Sequence, residues 1–294
     1  MINELRITRI LFATDFLQSS GLGLDYAKAF ARHFQATIVM VHVLKLSDAG
    51  IQSEMVTMRP CMTRLAAREQ LEALASGVRR TGISVETYVE DGFQCDVILR
   101  AVTARAADML VLGVHGVHLG IGHYFVGSST EKILLSAPCP TLTVGSQALA
   151  RVDPILHPKE ILYFSDFTPE AEAAAPYALL LGKEFQVPVD VCQLLPKRAE
   201  ADPGLCQKLS DEYRERMRRM IPEPHSDGCL PAFHLRRGMV IEEIIKRAQR
   251  QLAGLIVLGV RKRPHFGLRV HTRVAYQLLA NAPCPVLTIH NSTA

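Results

Sequence analysis

The segment Gly113-Val114-His115-Gly116 follows an apolar run, and ten residues beyond it Gly127-Ser128-Ser129 opens a stretch of helical period. Glycine at a strand's end lets backbone approach a ligand with no Cβ in the way. At a helix start the amides of Ser128, Ser129 and Thr130 lack intrahelical partners, and the helix dipole favours an anion there. Facing one another, the two elements make a cradle for phosphate; on the plainer alternative the glycines only make turns. Asp15, just past the first apolar run, is placed to accept from ribose hydroxyls or, instead, to cap the loop before the first helix. Val41 and Val43 flank His42 near the end of the second run, apolar enough for an adenine ring and equally suited to a core.

The elements that must position these residues occur twice. ILFATDF at Ile10 to Phe16 returns as ILYFSDF at Ile161 to Phe167, 151 positions on, and APCPTLTV at Ala137 to Val144 returns as APCPVLTI at Ala282 to Ile289, 145 positions on. Leu110 to Val114 (LVLGV) likewise returns as Ile256 to Val260 (IVLGV), and Gly92 as Gly238. Order and near-constant spacing point to one domain duplicated in tandem, residues 1–148 and 149–294. Strands are predicted at Arg9 to Thr14, Thr37 to Val43, Val85 to Glu90, Met109 to Gly113 and Thr141 to Val144. Leu22, Tyr26, Phe30 and Phe34 mark the buried stripe of the first helix, with Ser19 or Ser20 as its cap; Tyr177, Leu181 and Phe185 repeat the stripe after Thr168-Pro169. Pro176 is expected to kink or shorten that second helix. Apolar strands alternating with helices predict an α/β fold: two tandem doubly wound sandwiches, each a five-stranded, mainly parallel sheet flanked by about four helices. Ligands of such sheets lie at the carboxyl ends of the strands, where the strand order reverses. Gly145 to Lys159 reads as the linker, and Lys45 to Pro60 as a mobile loop over the first sheet.

Composition narrows the choices. The seven cysteines form no CxxC pair, and their odd number without a secretory leader suggests reduced thiols in the cytoplasm. No apolar run reaches the roughly 18 residues of a membrane span. The first 150 residues carry 13 Lys/Arg and 13 Asp/Glu, the remainder 20 and 16, so the net charge of +4 belongs to the second half. With 6% aromatic residues, no tryptophan and no long basic run, nucleic acid is a poor partner. His115, His118 and His123 crowd one loop and His265 and His271 its counterpart, but no helical i, i+4 pair or nearby Cys or carboxylate completes a metal set. The chain contains no GxxxxGK[ST], no GxSxG and no convincing Cys/His nucleophile pair, so a bound nucleotide is expected to be held, with at most slow hydrolysis.

In combination, ATDF after the first strand, ValHisVal in the second, the GxxG…GS segment before a helix, and AlaProCysPro before the last strand resemble the universal stress protein family. The resemblance covers nearly all of both copies and implies the adenine nucleotide alpha hydrolase-like fold. The family's ATP-binding members carry Gly-2x-Gly-9x-Gly-Ser/Thr. That implies phosphate and ribose contacts from Gly113, Gly116, Gly127, Ser128 and Ser129 and adenine contacts from Ala13, Asp15, Val41 and Val43, with Thr14, Leu112 and His115 completing the candidate set. The implied cofactor is ATP or another adenine nucleotide, with or without Mg. Ten residues, not nine, separate Gly116 from Gly127 here, so an extra residue is expected to bulge from the loop. The resemblance also implies packing about a pseudo-twofold axis through the last strands, Thr141 to Val144 against Val286 to Ile289.

The second copy departs further. Asp166 and Gly259 remain, but Lys262 replaces the second glycine, and Thr272 and Arg273 stand where the first copy has Gly127 and Ser128. Arg261, Lys262, Arg263, Arg269 and Arg273 could clamp a phosphate through side chains, or could be solvated charges on a degenerate site. One reading is a cytoplasmic regulator or sensor of stress whose first domain binds the nucleotide and whose second is a structural partner, with a homodimer and an unidentified protein as further associations. The alternative is a scaffold or small-ligand carrier that binds no nucleotide.

Overall fold

The computed structural model describes residues 5–44, 63–114, 117–118, 124–125, 128–145, 147–148, 159–165, 168–194, 202–220, 232–236, 240–251, 253–260, 278–279 and 281–290. Strands β1 (Arg9–Thr14), β2 (Thr37–Leu44), β3 (Val85–Asp91) and β4 (Met109–Val114) alternate with helices α1 (Gln18–Phe34), α2 (Arg64–Arg79) and α3 (Gln94–Ala104). A small ribbon, β5 (Val117–His118) and β6 (Tyr124–Phe125), precedes α4 (Ser128–Ser136) and β7 (Thr141–Gly145). The second half repeats the plan with β8 (Ile161–Ser165), α5 (Pro169–Phe185), β9 (Val189–Leu194), α6 (Pro203–Met220), β10 (Ala232–Arg236), α7 (Val240–Gln251), β11 (Leu255–Val260) and β12 (Val286–His290). Residues 149–158, where the sequence puts the domain boundary, and the expected loop from Lys45 to Pro60 lie outside the described residues.

Within the large sheet, all described strand pairs inside a half are parallel, in the orders β3-β2-β1-β4-β7 and β10-β9-β8-β11-β12, while β5 and β6 form a separate antiparallel pair. The order reverses between β1 and β4, which leaves a crevice at their carboxyl ends. Period-two alternation sorts the apolar runs onto two faces. Ile10, Phe12, Ile38, Met40 and Val111 pack on the α1 side with Ala27, Phe30 and Leu71. Leu11, Ala13, Val39, Val41, Leu110 and Leu112 face the other way, against Ile98 of α3 and Ile133 of α4. Burying a side chain such as Phe12 or Met40 stabilises the fold by about 1.5–3 kcal/mol each, and both are essentially inaccessible.

The two halves meet as one ten-stranded sheet. β12 runs antiparallel to β7, with Val286 opposite Thr143, Leu287 opposite Leu142 and Thr288 opposite Thr141. Across this seam the Thr288 hydroxyl donates to the Thr141 carbonyl at 3.2 Å. Helices α1 and α5 touch beside it. Phe185 meets Phe30 edge-on at 5.7 Å and Phe34 at 6.2 Å, while His33 Nε2 lies 3.0 Å from Glu184 Oε1. His33 and Glu184 are 151 positions apart, the period of the repeat, so equivalent residues face each other across the axis.

Two local expectations need correction. α1 is not capped by Ser19 or Ser20: it begins at Gln18, its N-cap Leu17 has no side-chain bond, and both serines are buried within the first turn. Asp15 outcompetes them by reaching the Leu17 amide and the Ser20 hydroxyl. Nor does Pro176 shorten α5, which runs 17 residues to Phe185, as long as α1. Ala174, Ala175, Ala178 and Leu181 are buried on both sides of the proline, and that packing offsets the lost backbone bond. The Thr168 cap and the proline at the helix start are as expected, with the Thr168 hydroxyl accepting from the Ala171 amide at 3.3 Å.

The second half differs from the first in a buried charge pair. Asp190 in β9, 2% exposed, accepts from Arg247 Nε of α7. By the repeat offsets their counterparts are Val39 and Ala101, apolar neighbours in the first half's core. Removing one member of such a pair leaves an uncompensated buried charge, whereas replacing both by apolar groups is close to neutral. Asp190→Val alone is therefore expected to cost about 3–5 kcal/mol in urea unfolding, and Asp190→Val with Arg247→Ala to recover most of it; equal losses in both would contradict this.

Glu160, just before β8, has a buried Oε1 that no group bonds among the described residues. Burial, then the Asp190 charge, push its carboxyl from 4.5 up to about 7, against the pull of Arg247. A raised folded-state value means that the proton stabilises the fold. That contribution is full below the unfolded value of 4.5 and is lost as pH rises through about 7. The urea midpoint is thus expected to fall between about pH 5 and about pH 8, and Glu160→Gln to flatten that fall.

Candidate functional site

The crevice between β1 and β4 collects part of the candidate set. Ala13 stands opposite Val41 on one side and Leu112 on the other. These three and Val43 belong to one apolar cluster with Ile133 of α4, so the wall at the strand ends and the helix after it share a face. Val41 is fully buried while Val43 is half-buried, so Val43 is the more accessible of the two valines. α4 begins at Ser128, and Ser129 and Thr130 are half-buried in its first turn. That geometry leaves the first amides of α4 without intrahelical acceptors.

The turn from β1 into α1 is fixed by side chains. Asp15 Oδ1 accepts from the Leu17 amide at 3.0 Å and from the Ser20 hydroxyl. The Asp15 amide donates to Ser20 Oγ at 3.3 Å, and the Phe16 amide to Thr14 Oγ1 at 3.0 Å. Asp15 therefore does cap the loop, which holds its carboxylate at the crevice mouth. Phe16 adopts φ +62°, a conformation that costs a side chain of this kind about 1–3 kcal/mol and marks a turn held by its surroundings. Its ring stacks on His42 at 4.3 Å. His42 Nδ1 lies 2.8 Å from the Thr14 carbonyl, so that nitrogen carries the hydrogen. Burial pushes the His42 value below 6.5, opposed by the Thr14 bond and the Asp15 charge. Sequence reading assigned Phe16 and His42 no role and read Ser20 only as a possible helix cap; the one signal was the phenylalanine shared by ATDF and FSDF.

Gly113 has a packing role in addition to the one expected of it. A Cβ there would lie 2.2 Å from the Ser19 carbonyl oxygen, so the missing side chain admits the first turn of α1. Gly259, its counterpart, is pressed in the same way by the Glu170 carbonyl at 2.0 Å. This explains why the glycine persists in a half whose following loop has diverged. His115, Gly116 and Gly127 lie outside the described residues, as do Asp166, Arg261, Lys262, Arg263, Arg269, Thr272 and Arg273. Between Gly116 and Gly127, Val117 pairs with Phe125 and His118 with Tyr124, so the ten-residue spacing folds back on itself as a ribbon. The expected extra-residue bulge falls on residues 119–123, outside the described ones.

Among the described residues no three His, Cys, Asp or Glu side chains converge as a metal would require. Burial pushes the Cys139 and Cys284 thiols up to about 12. They are protonated at physiological pH and poor nucleophiles.

Two doubly wound domains fused edge to edge through their last strands define a tandem α/β class. The sequence pattern of the Universal stress protein family matches residues 6–145 and again 158–290, and the chain belongs to that family. It is 29% identical over 136 residues to a universal stress protein of Thermus aquaticus, an alignment spanning 46% of this chain and 96% of that protein. In fold it is similar to a universal stress protein from Archaeoglobus fulgidus DSM 4304, with TM-score 0.71 at 16% identity over 97% of this chain and 99% of the other. A functionally unknown protein from Pseudomonas aeruginosa PAO1 is similar too, with TM-score 0.63 at 18% identity over 97% and 92% of the two chains. Both matches span the two halves together. No described helix is long and apolar enough to cross a membrane.

Because the obstruction at Gly113 is backbone, Gly113→Ala and Gly259→Ala are each expected to destabilise their half, by about 3 kcal/mol at the upper end for overpacking. Chemical unfolding followed by circular dichroism measures this, and a loss too small to resolve would refute the packing role.

Proposed function

We propose that the first domain, residues 1–148, binds ATP or a related adenine nucleotide and that the second, residues 149–294, is chiefly its structural partner. The observation that carries this reading is the placement, on one face of the sheet at the β1/β4 reversal, of the Ala13, Val43 and Leu112 wall, the Asp15 carboxylate and the N-terminus of α4. In this reading the adenine lies on Val43 and Ala13, Asp15 accepts from the ribose, and the phosphates meet the amides of Ser128 and Ser129. Gly116, Gly127 and His115 enter this reading from the sequence motif, with Thr14 at the end of β1. The second half keeps neither glycine of this pair, which favours the unequal division of labour. An odd cysteine count with no CxxC pair fits the cytoplasm, and in this reading the protein is a regulator of the stress response.

The scaffold reading draws on Gly113, whose space α1 already occupies. Calorimetric titration of the pure chain with ATP separates the two, with and without Mg. Saturable binding is expected, weakened at least about tenfold (about 1.4 kcal/mol) by Gly127→Arg and by Asp15→Asn. No binding by correctly folded protein, and no nucleotide released on denaturing a fresh preparation, would leave the scaffold reading standing.

A further inference from the structure

A second cavity lies at the opposite end of the sheet, on the seam between the halves. Its volume is about 230 Å³, and its walls include Ile7, Leu181 of α5 and Leu287 of β12, with Arg6, Asp108 and Tyr177 as its polar groups. Pockets between domains are common ligand sites, and this one is smaller than a drug-sized site. We propose that it binds a small organic acid, the apolar body against Ile7, Leu181 and Leu287 and the carboxylate against the Arg6 guanidinium and the Tyr177 hydroxyl.

The charges decide the class of ligand. Asp108 is engaged with the chain through one oxygen: its Oδ2 accepts from the Thr8 amide and Thr8 hydroxyl at 2.7 Å each and from the Arg9 amide at 3.0 Å. Those bonds hold the chain segment that carries Arg6 and Ile7 over the cavity. Arg6 is exposed and makes no ion pair or hydrogen bond among the described residues, and the half-buried Tyr177 hydroxyl makes none there either. Burial, then the Cys139 thiol, raise the Tyr177 phenol, so it remains a neutral donor. A cation and a donor beside an apolar hollow select a carboxylate on a hydrophobic stem.

The pseudo-twofold supplies an internal control. At the symmetry-related place Phe30 stands for Leu181 and Gly254 for Asp108. Phe30 is 2% exposed and packed among Phe34 and Phe185, so the larger ring occupies that side. Of the polar rim the tyrosine recurs as Tyr26, whereas Arg6 and Asp108 have His157 and Gly254 as their counterparts in the sequence.

The proposal is independent of nucleotide binding. Hexanoate and benzoate, each compared with its amide, are to be titrated into the full chain and followed by calorimetry and ligand-observed NMR. At least one acid is expected to bind saturably, about tenfold tighter than its amide. Arg6→Gln, at an exposed position, is expected to weaken it about fivefold, and Leu181→Phe, which copies the other side, to abolish it. The proposal fails if neither acid saturates, if Arg6→Gln and Tyr177→Phe both leave binding unchanged, or if ATP displaces the acid, which would place it at the strand ends instead.

Discussion

β7 and β12 are the last strands of their halves, and either one standing alone would present a row of open N–H and C=O groups to any passing strand. Their antiparallel pairing closes both edges at once and sets the axis about which everything else is arranged. Because the pairing runs through the middle of a ten-stranded sheet, the remaining edges are β3 and β10 at the far ends. β3 carries charge on its flank, with Glu86 bonded to Arg9 at 2.9 Å and the Arg105 guanidinium 3.6 Å over the Tyr88 ring. A charged edge resists further strand addition.

The alternation of side chains divides the labour of each strand. On β1, Ile10 and Phe12 belong to the large core beneath α1, while Leu11 and Ala13 face α3 and α4. The crevice inherits its apolar wall from the second set and its loop geometry from the first, through Phe16 stacked on His42. Gly113 belongs to the mechanical side of this division: it lets α1 lie close on β4, and so sets where Asp15 emerges. A glycine of the phosphate-type motif thus also has a packing reason to be glycine.

The strands were legible because their apolar runs repeat in order, and all five expected in the first half occur, four of them one residue longer than read. Thr168 was legible as a cap because a proline follows it at the helix start. Ser19 and Ser20 misled because a serine before an apolar stripe has the same signature whether it caps or is bonded by a carboxylate five residues earlier, as Ser20 is by Asp15. The Asp190–Arg247 pair could not be foreseen. Its members are 57 positions apart, and only the packing of α7 on β9 makes them partners. For the site, the wall residues followed from strand register, whereas the roles of Phe16 and His42 depend on a turn conformation that no spacing rule encodes.

The contact of His33 with Glu184 bears on how a fused pair can evolve. In an assembly of two identical chains the residue on the axis meets its own copy, so a histidine would face a histidine and a glutamate a glutamate. Covalent fusion removes that restriction, since each half has one fixed mate held at high effective concentration. Opposite characters can then settle on the two sides, and a surface so differentiated discriminates against self-pairing of either half. Tethering thereby turns a symmetric joint into a directional one, and frees one half to drift while the other keeps its duties.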